Sequence, residues 1–168
     1  MHVRKANIED VKAMQDIIRA AKVFMRETGN PNQWNHKDYP EALIPQDVEN
    51  GNGYVIEEDG RTVGTFTFII GRDPTYDVIE DGSWIDDDKT YGTIHRIASD
   101  GSSRGLLEAA LDFCFSLIDN IRIDTHDDNK LMQHKVLKNG FSRRGIIYVA
   151  DGTPRIAYQK ILKTEEHK

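Results

Sequence analysis

The stretch Tyr91-Gly-Thr-Ile-His95-Arg-Ile-Ala-Ser99-Asp-Gly-Ser-Ser-Arg-Gly105-Leu-Leu-Glu-Ala-Ala-Leu-Asp-Phe-Cys-Phe-Ser-Leu-Ile118 decides the fold. Tyr91 to Ala98 reads as a strand, Ser99 to Gly105 as a tight polar turn, and Leu106 to Ile118 as a helix. That helix is apolar on most sides (Leu106, Leu107, Ala110, Leu111, Phe113, Cys114, Leu117, Ile118), so it belongs against the centre of a sheet. A strand, turn and helix in this order leave the N–H groups of the first helical turn unpaired and aimed at one point, where the helix dipole favours a phosphate. Gly101 and Gly105 permit the turn, Ser102 or Ser103 can donate, and Arg104 adds a cation. No Lys-Ser/Thr pair follows Gly105, so this is not a Walker loop. It is not a dinucleotide fingerprint either, because Gly-x-Gly-x-x-Gly is absent. An ordinary capped helix uses the same residue types, and the turn alone leaves both readings open.

Upstream, Val3 to Ala6 reads as a strand. Asn7 is an N-cap followed by Glu9 and Asp10, and Val11, Met14, Ile17, Ile18, Ala21 and Met25 recur at three- and four-residue steps, which predicts a helix with one buried face. Thr28-Gly29-Asn30-Pro31 stops it. A polar, aromatic loop (Gln33 to Pro40) and a short helix (Glu41 to Glu49) follow. Tyr54 to Glu58, Asp59-Gly60 and Arg61 to Ile70 form a hairpin with a type I′ turn. Downstream come a strand from Ile121 to His126, a helix from Asn129 to Asn139 closed by Gly140, and two strands, Phe141 to Val149 and Arg155 to Ile161. The order is β-α-α-β-β-β-α-β-α-β-β, without repeat or linker. The expectation is one domain over 1–162 and a polar tail over 163–168.

With 168 residues, 38% of them hydrophobic and 30% charged, the chain can bury one core. Mean hydropathy is −0.59, and no run approaches the ~20 apolar residues of a membrane span. The N-terminus lacks the apolar segment of a secretory signal, and the single cysteine, Cys114, cannot close an intramolecular disulfide. These features predict a soluble, cytoplasmic domain without membrane partners. A net charge of −6 argues against duplex nucleic acid. The charge is also segregated. Asn129 to Arg144 holds five cations and no acid, whereas Gly71 to Thr90 holds seven acids against Arg72 and Lys89. Either both are solvated surfaces, or the molecule handles an anion at one end and a cation at the other.

The order of elements together with the Ser99–Gly105 turn resembles the GCN5-related N-acetyltransferase (GNAT) family, and within it a bacterial subgroup, over roughly Met1 to Leu162. The resemblance implies an α/β (α+β) acyl-CoA N-acyltransferase fold, a mixed and mostly antiparallel seven-stranded sheet flanked by about four helices. It implies acetyl-CoA as co-substrate and no metal. The family's Gln/Arg-x-x-Gly-x-Gly/Ala falls on Ser102, Gly105 and Leu107, with Arg104-Gly105 as its surviving core. Its Asn-x-x-Ala, Tyr and Gly-Phe fall on Asn129, Met132, Val136 and Gly140-Phe141. Asn129 would bond the pantetheine or cap its helix, and Val136 replaces the tyrosine that commonly protonates the leaving thiolate. The cofactor residues so implied are Ile97, Ala98, Ser99, Ser102, Ser103, Arg104, Gly105, Leu106 and Asn129.

In that family an amine attacks the thioester directly, and a backbone N–H near Ile97-Ala98-Ser99 would polarise the carbonyl. His95 is the candidate base, its ordinary pKa of ~6.5 suiting the task, unless it only serves the core or a neighbour. Asp124 and His126 come next. Tyr148 or water is the candidate acid. Trp34, His36 and Tyr39 either roof the acceptor site, with Trp34 and Tyr39 touching substrate, or anchor their loop. Asp124 to Asp128 lacks the glycine and closing glutamate of a calcium loop, and Cys114 reads as a core thiol. The expectation is an N-acetyltransferase acting on a small primary amine, cationic by the field of the acidic segment, with a homodimer as its protein partner. The alternatives are an N-terminal or lysine acetyltransferase of proteins, or a non-catalytic acyl-CoA-binding module.

Overall fold

Asn7 starts the first helix as its position requires. Its side chain accepts from the Glu9 N–H while Asp10 accepts from the Asn7 N–H, a reciprocal capping box. In this computed structural model, which describes residues 1–162, a 3₁₀ turn (Ile8–Asp10) leads into α1 (Val11–Glu27). The tail expected over 163–168 lies outside the described residues. Strand β1 (His2–Lys5) precedes α1. After it come a 3₁₀ turn (Glu41–Leu43), α2 (Ile44–Glu49), β2 (Gly53–Glu58), β3 (Arg61–Ile70), β4 (Gly92–Ser99), α3 (Leu106–Phe115), β5 (Asn120–Thr125), α4 (Lys130–Lys138), β6 (Ser142–Tyr148) and β7 (Pro154–Ile161). Asp59 and Gly60 take φ of 54° and 77°, the left-handed pair that a type I′ turn needs. α3 ends three residues before the expected Ile118, where the Ser116 hydroxyl donates to the Phe113 carbonyl and competes with the helix ladder.

The seven strands form one sheet in the order β1-β2-β3-β4-β5-β7-β6, antiparallel except for β4 beside β5. α3 and α4 cover one face. There Leu106, Leu107, Ala110, Leu111, Cys114 and Val136 pack on Ile56, Phe66, Ile94, Ile121, Ile123 and Tyr158. α3 sits close because Gly64 lies beneath it: a Cβ there would stand 2.2 Å from the Leu106 side chain. Burial raises the Cys114 thiol far above its ordinary range, as a core thiol requires. α1 and α2 cover part of the other face through Met14, Ile17, Ile18 and Ile44 against Val55 and Ala98. The 71–91 segment covers the rest, with Tyr76, Trp84 and Tyr91 on Ile147 and Ala157.

The charge segregation seen in the sequence is partly cancelled by this packing, at the β6 end of the basic segment. Glu80 pairs with Ile146 across an antiparallel bridge, bringing the acidic segment onto β6. Arg143 reaches Asp81, Arg144 donates to the Ser83 carbonyl, and Arg72 pairs with Asp77. The β6 end of the basic segment is therefore a neighbour of the acidic one, while Lys130 and Lys135 of α4 lie along a separate groove. Of the seven acids, Asp73 turns inward and lines a cavity. No helix among the described residues is long and apolar enough to cross a membrane.

Candidate active site

Strands β4 and β5 run side by side only at Gly92↔Ile121 and Thr93↔Arg122, after which they part. β4 stays on β3 as far as Ser99, and β5 stays on β7 as far as Thr125. The parting coincides with a bulge. Thr65 faces Ala98 and Thr67 faces His95, so Arg96 and Ile97 together oppose Phe66, and Arg96 takes a left-handed φ of 53°. A bulge bends its strand and raises the local twist, and here it turns Ile97 to Ser99 into the opening.

Two adjoining cavities fill that opening, sharing Met25, Ile97, Asn129 and Met132 as walls. The larger, about 450 Å³, is a groove between the Ile97–Ser103 segment and the start of α4, closed by Ala20, Ala21 and Phe24 of α1. Lys130 and Lys135 stand along it. Gly101, at φ 83°, lines it with nothing within 4 Å of where its Cβ would lie. Asn129 caps α4 by accepting from the Met132 N–H, and its amide donates to Gln33.

Among the expected cofactor residues, Ile97, Ala98, Ser99, Ser103 and Asn129 line this groove. Arg104 and Gly105 instead border a shallow hollow beside Met1, His2 and Val3, and Leu106 is buried against Gly64. Ser102 donates to Asp100 and accepts from Arg61, while Ser103 donates to Glu58. The turn is thus tied by its own side chains, with Gly105 needed for its φ of 81° as the residue preceding α3.

The smaller cavity, about 230 Å³, is roofed by Gln33, Trp34 and Tyr39 and floored by His95, Asp124 and Thr125. Trp34 also packs against the α1 core, so it both anchors the loop and lines the cavity. His36 is exposed, 3.7 Å from Asp151. His95 Nε2 lies 3.1 Å from Asp73 Oδ2. Burial opposes the Asp73 charge, but hydrogen bonds from His95 and from the Thr75 hydroxyl and N–H outweigh it and hold the carboxyl at about 2. In the neutral imidazole, an Nε2–H donated to Asp73 leaves Nδ1 as the proton-accepting nitrogen. The Asp73 backbone N–H donates to the Tyr91 hydroxyl at 2.7 Å. The Tyr91 ring in turn lies under the Arg122 guanidinium, 3.8 Å from its centroid, with Trp84 on the other side at 4.1 Å. This cation–π stack fixes the segment that carries Asp73.

Asp124, expected as an alternative base, is half-buried and accepts from the Tyr76 hydroxyl at 2.6 Å. Burial raises its pKa against the pull of His95 and Tyr76. Burial first, then Asp124, raises Tyr76 well above the phenol range, so Tyr76 stays a donor. His126 Nδ1 accepts from the Asp128 N–H and does not line the cavity. Tyr148, expected as the acid, is exposed at the far end of β6 and donates to Glu80, whose bond raises its pKa. It lines neither cavity. Sequence reasoning missed Asp73, Gln33 and Arg155. The Asp73-Pro-Thr75 cap that starts a 3₁₀ turn (Pro74–Tyr76) marks Asp73 locally only as a capping residue, and nothing in the β7 sequence, which also carries Gln159 and Lys160, sets Arg155 apart.

Comparison with solved structures places this arrangement among known proteins. A GNAT-family acetyltransferase from Streptococcus agalactiae is similar to this chain at 32% identity and a TM-score of 0.88, over 97% of this chain and 96% of that one. A GNAT-family acetyltransferase from Listeria monocytogenes shares 24% identity at a TM-score of 0.71, over 96% and 94%. A ribosomal-protein-alanine N-acetyltransferase from Brucella melitensis shares the fold at 19% identity and a TM-score of 0.60, over 96% and 100%. No family model matches the sequence, and no curated protein does.

Proposed function

The chain belongs to the GNAT family of acetyltransferases, and from that premise we propose that it moves the acetyl group of acetyl-CoA to a small primary amine. The carrying observation is the parting of β4 from β5, which joins a groove of about 450 Å³ to a smaller cavity lined by His95 and Asp73. The groove suits acetyl-CoA: its α1 wall is apolar, Ile97 to Ser99 offer an extended backbone, and Lys130 and Lys135 supply cations for phosphates. When bound, acetyl-CoA supplies an acyl group activated as a thioester.

The chain's own residues do the rest. Asp73 draws an ammonium toward the cavity and holds the His95 ring. His95 accepts the proton that the ammonium must lose before its nitrogen can attack. As the N–C bond forms and the C–S bond breaks, a backbone N–H of the Ile97–Ser99 segment stabilises the carbonyl oxygen. With Tyr148 outside both cavities, the second proton that the nitrogen loses on becoming an amide passes through water to the leaving thiolate. The acceptor is small because Trp34 and Tyr39 close a space of about 230 Å³.

Thiol release from acetyl-CoA with a panel of primary amines tests the proposal. Turnover with at least one small amine supports it. Binding of acetyl-CoA without thiol release from any acceptor would make the protein an acyl-CoA-binding module, and faster turnover of peptides than of small amines would make it a protein acetyltransferase.

A further inference from the structure

We propose that the acceptor is an amino acid, a small molecule carrying a carboxylate beside its amine, and that Arg155 holds the carboxylate. This rests on the transferase reading above and names its substrate class. Arg155 lies on β7, keeps only 8% of its surface accessible, and lines the smaller cavity. Its guanidinium donates to three oxygens, the Thr153 hydroxyl at 3.0 Å, the Pro154 carbonyl at 2.9 Å and the Gln33 carbonyl at 3.5 Å. All three are neutral. The other arginines near the site are engaged differently: half-buried Arg96 is paired with the Asp47 carboxylate, and buried Arg122 is filled on both faces by aromatic rings, which leave it no room for an anion.

Among the described residues no carboxylate comes within 4.0 Å of Arg155. Two carboxylates feel its field from farther away: Asp124 is engaged by Tyr76 and pushed toward its neutral form by burial, and Asp151 is exposed and accepts from the Thr153 hydroxyl and N–H instead. A buried cation without an anion is costly, and a cavity beside it lets a ligand supply the missing charge. The planar fork of a guanidinium matches the two oxygens of a carboxylate. In the same cavity Asp73 is held ionised beside His95. One fixed cation and one fixed anion in about 230 Å³ complement a zwitterion. A diamine would set its second ammonium against Arg155.

The test measures kcat/KM by thiol release for glycine, L-alanine, L-serine, β-alanine and 4-aminobutyrate, each against its amide and its carboxylate-free amine. The expected result is a preference for the acids of about tenfold or more, the usual effect of a charge-assisted pair, carried mainly by KM. Arg155→Gln should bring the acid-to-amide ratio close to one, and Arg155→Lys should restore part of it. Amines turned over as well as acids, with a ratio that Arg155→Gln does not move, would overturn the inference and leave the transferase reading standing. If no acceptor releases thiol, the transferase reading fails. Thermal stabilisation by the N-acetyl amino acids then decides separately: preference over their amides that Arg155→Gln abolishes supports the carboxylate site, and equal stabilisation rejects it.

Discussion

Asp73→Asn removes one charge from the centre of the site, and its effect can be worked from the structure. The Asp73 carboxyl is held at about 2 against an ordinary 3.8, which corresponds to at most about 2.4 kcal/mol at 1.36 kcal/mol per pH unit. The side chain keeps 18% of its accessibility, so solvent screening brings the expected value to about 1–2 kcal/mol. Because the folded pKa is depressed, this stability is fully present above pH 3.8 and is lost as pH falls toward 2. Urea unfolding of both proteins between pH 5 and 2 should therefore show the wild type losing about 1–2 kcal/mol more than Asp73→Asn over that window. Above it the variant should be the less stable protein. At neutral pH it should also lose about 10- to 100-fold in kcat, since it no longer stabilises the imidazolium formed when His95 takes a proton. Parallel pH–stability curves would show that the Asp73–His95 contact carries no energy, and the assignment of Asp73 as the group that positions the base would go with it.

Three further outcomes are expected. His95→Gln should lower kcat about 10²–10⁴-fold and remove the rise of rate with pH, while acetyl-CoA affinity by calorimetry stays put. A rise that survives and follows the acceptor's own basicity makes His95 structural. Lys135→Ala should weaken acetyl-CoA about tenfold, or 1.4 kcal/mol, with a larger effect at low salt, whereas Arg104→Ala should change affinity less than about twofold. The reverse ranking would put the phosphates at the β1 side of the turn. Tyr148→Phe should leave kcat within about twofold, because its hydroxyl is occupied by Glu80 outside the cavities, and a hundredfold loss would restore it as the acid.

The elements were legible wherever one short-range signal governs them. Asn7 with Asp10, Asp59-Gly60, and the i, i+3, i+4 spacing of Met14, Ile17 and Ile18 each specify their geometry within a few residues. His95, Asn129, Trp34 and Tyr39 were legible as lining residues because strand and loop placement fixes their neighbourhood. Asp73 was not, because its partner is 22 positions away and the acidic run around it reads as a solvated surface. Arg155 was illegible for a similar reason: what marks it is the lack of a carboxylate, which only a full set of neighbours displays. Arg104 is a different case. Sequence places it in the expected cofactor turn, and the structure has it, with Gly105, lining the hollow on the β1 side rather than the groove.

The bulge that opens the site is held from behind by residues that touch no substrate. Arg96 at φ 53° occupies a region that costs a non-glycine residue about 1–2 kcal/mol. It is kept there by two hydrogen bonds to Asp47, at 2.9 and 2.8 Å, and Thr67 donates to the same carboxylate at 2.9 Å. Charge-assisted bonds of this kind contribute about 1.5–3 kcal/mol each, enough to offset the strain. Asp47 belongs to α2, and the turn before α2 carries Glu41, which accepts from Lys22. Lys22 also donates to the His36 carbonyl, in the loop that brings Trp34 and Tyr39 over the cavity. A short stretch, Glu41 to Glu49, thus secures the roof through α1 and the bulge through β3 and β4. On the proposed reaction, the helix between α1 and β2 therefore acts on the site without touching it. Its buried Asp47 holds Arg96, and with Arg96 the bulge that turns the Ile97–Ser99 backbone into the groove, where the proposal needs an N–H for the carbonyl oxygen.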